Sequence, residues 1–226
     1  MTPLSKTSIE ALLNSARRLA PSLMLLFALF GFAPGPAVAA ETRTSPEQAS
    51  KFVEDLGHQF ETLLGSNDGH GLGQNRHAFE ILVRKGFDLE LIGRFVLARS
   101  WKAATAAQQL EYQRLFALWT INTYGLLLGG NQGGSITVVG AESIGATDAL
   151  VRTKINLLNA TPLEIDLRVR DTDGQMKIVE VLMASASMSV TQRDEFASVI
   201  QHRGVDGLIA VLGTRVDNLQ AEATSD

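Results

Sequence analysis

Between Leu163 and Arg170 apolar and charged residues alternate without a break: Leu163, Ile165, Leu167 and Val169 against Glu164, Asp166, Arg168 and Arg170. A period of two puts the first set on the buried face of a strand and the second on a solvated one. Asp171-Thr172-Asp173-Gly174 then carries turn chemistry, with Gly174 able to take φ > 0. A second strand runs from Met176 to Met183, less strictly alternating because Val181-Leu182-Met183 is apolar on both faces. The pair predicts the central hairpin of an antiparallel sheet. Ser185, Ser187 and Ser189 interleave with Ala186, Met188 and Val190 before Thr191 starts a helix.

The chain ahead of this hairpin is mostly helical in its periodicity. Ser45-Pro46-Glu47-Gln48 is a helix start, with Ser45 as N-cap, Pro46 at the first helical position and Gln48 completing a capping box. Ala49, Phe52, Val53, Leu56, Phe60, Leu63 and Leu64 follow at the spacing of one helix face. Shorter helices are expected over Arg76–Lys85 and after Asp88, and Ser100-Trp101-Lys102 breaks the second pattern. Thr105 and Gln108 form a capping box for a long helix whose apolar arc includes Leu115, Phe116, Trp119 and Tyr124. That arc is wider than a one-sided surface helix needs, which marks it as a cavity wall. Gly129–Gly134 closes the helical half. Strands are expected over Ser135–Gly140 and Ala149–Leu158, and Asn159–Pro162 turns into the hairpin. After Thr191 one helix ends at Gly204, and another carries Val205, Leu208, Leu212 and Val216. Helices (45–128), then a sheet of about four antiparallel strands (135–190), then two helices (191–219) predict an α+β fold.

Composition narrows what such a fold can do. The 226 residues include no cysteine, so disulfides, thiol chemistry and a lipid-anchoring cysteine are excluded. A net charge of -4 gives no nucleic-acid footprint. Lys6, Arg17 and Arg18 precede an apolar run from Leu19 to Phe32, and Ala37-Val38-Ala39 offers a small-x-small cleavage site. Residues 1–39 are therefore expected to be a secretory signal peptide, with 40–226 as one exported domain. Their removal takes away three basic residues and one acidic residue, moving the net charge from -4 to -6. Gly69, Gly71 and Gly73 alternate like a phosphate loop, but a dinucleotide loop must follow a strand and open a helix. His58, His70, His77 and His202 lack metal-ligand spacing, and no G-x-S-x-G elbow occurs. No metal, no cofactor and no enzymatic activity are expected.

An ordered set of residues carries a resemblance. Gly93-Arg94-Phe95, Trp101, Ala104-Thr105, Gln108, Glu111-Tyr112, Phe116 and Tyr124-Gly125 are followed by Ser187-Met188, Arg193, Phe196, Ile200 and Gly204-Val205-Asp206-Gly207-Leu208-Ile209. In these the chain resembles the MlaC (toluene-tolerance) family of periplasmic phospholipid-binding transport proteins. The resemblance implies a curved antiparallel sheet wrapped by helices around an apolar pocket. It also implies a monomeric carrier exchanging phospholipid with an inner-membrane ABC transporter complex and an outer-membrane lipoprotein complex. Two departures stand out: Gln175-Met176-Lys177 lacks the family's aromatic, and Ala184-Ser185 replaces an acidic-glycine pair. A branch of the family is linked to hopanoid biosynthesis, which makes a hopanoid the alternative ligand.

Under this resemblance the lipid-binding residues would be Phe95, Phe116, Trp119 and Tyr124 from the helices, Leu167, Val169, Val179, Val181 and Met183 from the strands, and Met188. Methionines adapt to irregular tails. Two rival uses remain. A small isomerase would place an acid/base pair in the same pocket, and Glu180 with Tyr124 is the pair available. A protein-binding adaptor would use surface charges such as Arg94, Arg99 and Lys102.

Overall fold

The computed structural model of the protein describes residues 44–65, 75–129, 135–156 and 162–225. The expected signal peptide, the glycine loop after Gly65, the Gly130–Gly134 stretch and most of the Asn159–Pro162 turn lie outside the described residues. Among the described residues five helices come first: α1 (Pro46–Gly65), α2 (Arg76–Gly86), α3 (Leu89–Leu97), α4 (Arg99–Ala103) and α5 (Ala106–Gly129). Five strands follow: β1 (Ser135–Ile144), β2 (Asp148–Asn156), β3 (Leu163–Thr172), β4 (Gln175–Met183) and the two-residue β5 (Ala186–Ser187). The chain closes with α6 (Met188–Ser225), interrupted where Gly204 adopts φ 69°. The strands pair in sequential order as an open antiparallel meander.

Local signals account for most helix starts. Asp88 accepts a 2.9 Å bond from the Leu91 amide and caps α3. At α5 the Thr105 amide donates to Gln108 Oε1 at 2.9 Å, and the Gln108 amide donates to Thr105 Oγ1 at 3.2 Å, a reciprocal capping box. Two helices depart from the sequence reading. Ser100-Trp101-Lys102 does not break helical structure but lies within α4, because Ala98 takes φ 51° and restarts the helix there. The last helix starts at Met188 rather than Thr191, since Ser187 Oγ accepts from the Val190 amide at 3.0 Å.

The β3–β4 hairpin turns through Asp173 and Gly174 at φ 54° and 80°, the positive pair that a two-residue I′ connection requires. Its register pairs Leu167 with Val181 but Val169 with Ile178, so Val179 is the extra residue of a bulge. A second bulge leaves Val139 unpaired opposite β2. Bulges bend their strand and sharpen its twist, which turns a flat sheet into a trough. Lys177 Nζ donates to the Arg84 and Lys85 carbonyls at 3.0 and 2.7 Å, satisfying the end of α2. The Asp88 amide donates to the Ile178 carbonyl at 2.9 Å, so the α2–α3 junction is pinned to the bulged strand.

The charged face of β3 is only partly solvated. Asp148, 1% exposed at the start of β2, takes Arg170 Nε at 2.7 Å and Nη2 at 3.0 Å, and pairs with Arg168 as well. This corrects the expectation of a plain surface for both arginines: residues twenty or more positions apart become cross-strand neighbours of one buried carboxylate. Burial pushes the Asp148 carboxyl up, but bonds from Arg170, Thr147 and Arg168 outweigh it and hold it below the usual carboxylate range.

Two hydrophobic clusters result. One joins α1 and α2 to the sheet through Val53, Leu56, Phe79, Val151, Val169 and Ile178. The other joins α3, α5 and α6 through Val96, Tyr112, Phe116, Phe196, Leu208 and Leu212.

Candidate functional site

A cavity of about 310 Å³ lies between the two clusters, the size of a small-molecule site at the lower end of the usual range. Its floor is the inner face of the sheet: Thr153 and Ile155 from β2, Ile165 and Leu167 from β3, Ile178 and Val181 from β4. Antiparallel register stacks these residues, with Leu167 opposite Val181 and Ile165 opposite both Met183 and Thr153. The roof comes from successive turns of helices. α1 contributes Val53, Leu56, Phe60 and Leu64, and α5 contributes Phe116, Thr120 and Tyr124 at a spacing of four. Gly57 lies on α1 where a Cβ would stand 3.2 Å from Ile136, so glycine there lets the roof approach β1 closely.

Polar groups join this apolar lining. Glu61 and Glu180 are its charged members among the described residues. Glu180 Oε1 accepts from the Val181 amide at 2.9 Å, the Ser189 amide at 3.2 Å and Ser189 Oγ at 2.9 Å. Ser187 Oγ donates to its Oε2 at 2.7 Å. Glu61 Oε1 accepts from the Ile136 amide at 2.7 Å, and its Oε2 lies 3.1 Å from His58 Nδ1. Burial, and then the Glu180 charge, raise the Tyr124 hydroxyl above its ordinary range, so it stays a protonated donor. Thr120 Oγ1 is buried without a hydrogen-bond partner. Thr191, Tyr124 and Leu163 are exposed and mark where the cavity meets solvent.

The ten residues singled out from the sequence fall into three places. Phe116, Trp119, Tyr124, Leu167, Val181, Met183 and Met188 line the cavity. Val169 is fully buried in the core that joins α1 and α2 to the sheet, and Val179 is displaced by the bulge; neither is among the cavity's walls. Phe95 is 47% exposed, with the Arg193 guanidinium 5.7 Å from its ring, and stands outside the cavity. The reason is local: Gly93 and Val96 are buried on α3, which turns Phe95 to the other side of that helix. Sequence reasoning missed the α1 residues, Thr153 and Ile155, and Glu61. The stripe on α1 was visible, but a stripe that packs and a stripe that lines a hollow have the same period. Glu180 and Tyr124 do share the cavity, but the four bonds on Glu180 make it a structural acceptor rather than a free base.

Two comparisons bear on this geometry. The fold resembles that of a phospholipid-binding protein from Ralstonia solanacearum, solved in complex with a phospholipid, with a TM-score of 0.66 and 25% sequence identity. The match covers 76% of this chain and 98% of that one. The sequence model of the MlaC protein family matches residues 59–214, a span that runs from the α1 wall of the cavity through the sheet to α6. With well over half of its length so matched, this chain belongs to the MlaC family.

Proposed function

We propose that the chain is a lipid carrier that holds acyl or other apolar lipid tails in the cavity between its sheet and the α1–α5 roof. The observation that carries this reading is the apolar trough between two separately packed clusters, roofed by α1 and α5. The phospholipid complex of the Ralstonia solanacearum protein, which shares the fold, supports it. Among the described residues no helix is long and apolar enough to cross a membrane, which suits a carrier that leaves the bilayer. Removal of residues 1–39 on export would place it in the periplasm. There it would exchange lipid, as a monomer, with an inner-membrane ABC transporter complex and an outer-membrane lipoprotein complex.

Energetics favour transfer without chemistry. A two-tailed lipid buries on the order of 30 methylenes at about 0.8 kcal/mol each. That sum exceeds any real affinity, but the bilayer that donates the lipid is equally apolar, so the two states nearly balance. A catalyst in this cavity would need a free base, whereas Glu180 is held by Ser187, Ser189 and the Val181 amide.

Mass spectrometry of protein purified without detergent, native and then denatured with lipid extraction, tests the proposal. One co-purified lipid per chain is expected, and its mass separates phospholipid from hopanoid. A lipid-free mass with no uptake from vesicles refutes the carrier.

A further inference from the structure

The cavity has one solid end. Followed away from solvent, its lining stops on four elements at the same depth. On α5 it runs through Tyr124, Thr120 and Phe116 and gives way to the wholly buried Tyr112. On α1 it runs from Leu64 to Val53 and gives way to the equally buried Ala49. On β2 it stops at Thr153, short of Val151, and on β3 at Leu167, short of Val169. Ala49, Val151 and Val169 belong to one close-packed cluster with Val83 and Ile178. At the other end Tyr124 and Leu163 reach solvent.

The solid end is also tied down. The Phe87 amide donates to the Val83 carbonyl at 2.8 Å, and the Asp88 amide to the Ile178 carbonyl at 2.9 Å. Lys177 holds the last carbonyls of α2, and Arg170, its neighbour across the strands, is bound to the buried Asp148. A close-packed wall with these bonds resists displacement by a tail tip. The mouth lets surplus tail out into water.

Leu56 stands in front of this wall and lines the cavity, and Gly86 stands behind it. A Cβ on Gly86 would lie 2.5 Å from Leu56 Cδ2, so a larger residue there must push the leucine forward. Gly86 is not among the glycines at positive φ, so what it supplies is space rather than an unusual backbone. The notch lets Leu56 lie back and sets how deep the cavity runs.

We infer that this carrier measures tail length: Leu56, seated on Gly86 against the packed wall, fixes the longest acyl chain that the cavity accepts. The inference rests on the lipid-carrier reading and sharpens it. A tail that stops short of the wall exchanges one apolar surrounding for another, with little net change. Once the tip meets the wall, each further methylene is displaced through the mouth into water. That lowers capture about fourfold per methylene, the equivalent of about 0.8 kcal/mol.

The test uses lipid-free protein and vesicles of diacyl phosphatidylcholines in equal amounts, with monounsaturated tails of fourteen to twenty-two carbons. One headgroup throughout isolates the tail, and captured lipid is quantified by mass spectrometry. Capture is expected to be level up to a limiting length and then to fall about sixteenfold for two carbons added to a tail already at the wall. Leu56→Val, one methylene smaller, should raise the relative capture of the first excluded length about fourfold. Gly86→Ala, which pushes Leu56 toward the cavity, should lower that of the last accepted length. A residue with only a structural role would change total capture and leave the limit where it is. Should either variant not fold, the length series on the unaltered protein decides. Capture without a break across the series overturns the inference while leaving the carrier intact. A break that both folded variants leave in place removes Leu56 and Gly86 from the role. Capture of no lipid at any length refutes the carrier itself.

Discussion

The two hydrophobic clusters are built from similar residues and do different things. Around Tyr112 the rings close on one another: Phe116 stacks at 5.7 Å, and Phe196 meets both edge-on at 6.4 Å. The Tyr112 hydroxyl, wholly buried, donates to the Gly93 carbonyl at 2.9 Å. Around Phe79 and Ile178 the packing closes through β2, α1 and the α5 residues Ala117 and Ile121, but a hollow remains beside the α5 row Phe116, Thr120 and Tyr124. Aromatic side chains on three crossing helices can interdigitate from all sides. A sheet bent by bulges recedes from a straight helix, and its branched side chains are too short to cross the gap. The difference teaches that the helical cluster supplies rigidity, and the sheet supplies the space.

If so, damage to the two clusters should register differently. The largest loss is expected for Phe196→Ala, about 4 kcal/mol by denaturant titration, since a ring in contact with Tyr112, Phe116 and Trp119 leaves a void. A loss below 1 kcal/mol would mean that the cluster is loosely packed. Next comes Asp148→Ala, about 2 kcal/mol, because it removes the buried carboxylate that Arg168 and Arg170 share on the strands that form the trough. The folded Asp148 carboxyl is held below its unfolded value, so its contribution is complete above the ordinary carboxylate range and vanishes as pH falls through the depressed value. The acid limb of stability against pH should therefore flatten in the variant. An unchanged limb would assign the acid sensitivity to other groups.

A smaller effect, of opposite sign, is expected at the hairpin between β4 and β5. Ala184 and Ser185 take φ 48° and 65° there. The left-handed region costs an L-residue about 1–2 kcal/mol, and glycine's extra chain entropy offsets part of the relief. Ser185→Gly should stabilise by about 0.5 kcal/mol, read as a rise in melting temperature; a fall would show that Ser185 makes compensating contacts. The smallest change in stability, under about 1 kcal/mol, is expected for Val181→Phe, whose added volume enters the hollow rather than packed atoms. Bound lipid per chain should nevertheless drop sharply in that variant. Full lipid loading would place the tails away from the β3–β4 floor.

Much of this architecture is written in short stretches. The Thr105–Gln108 box, the Asp88 cap, the Asp173-Gly174 turn and the alternation through β3 each act through residues a few positions apart, so pattern and structure agree. The β4 strand shows where legibility stops. A single bulge shifts the facing of every residue beyond it, which is why Val179 leaves the set that faces the cavity and Ile178 enters it.

The sequence by itself determined the broad order of helices and strands, the capped starts of α1, α3 and α5 and the apolar character of the inner face, because these depend on local hydrogen bonds and on the fixed periods of helix and strand. Only the tertiary structure decided that Asp148 would gather Arg168 and Arg170, that Ser187 and Ser189 would hold Glu180, and that one apolar face would pack while its continuation would stay open. Those outcomes depend on distances between elements, and a hydrophobic period is the same whether the side chain meets another side chain or a space.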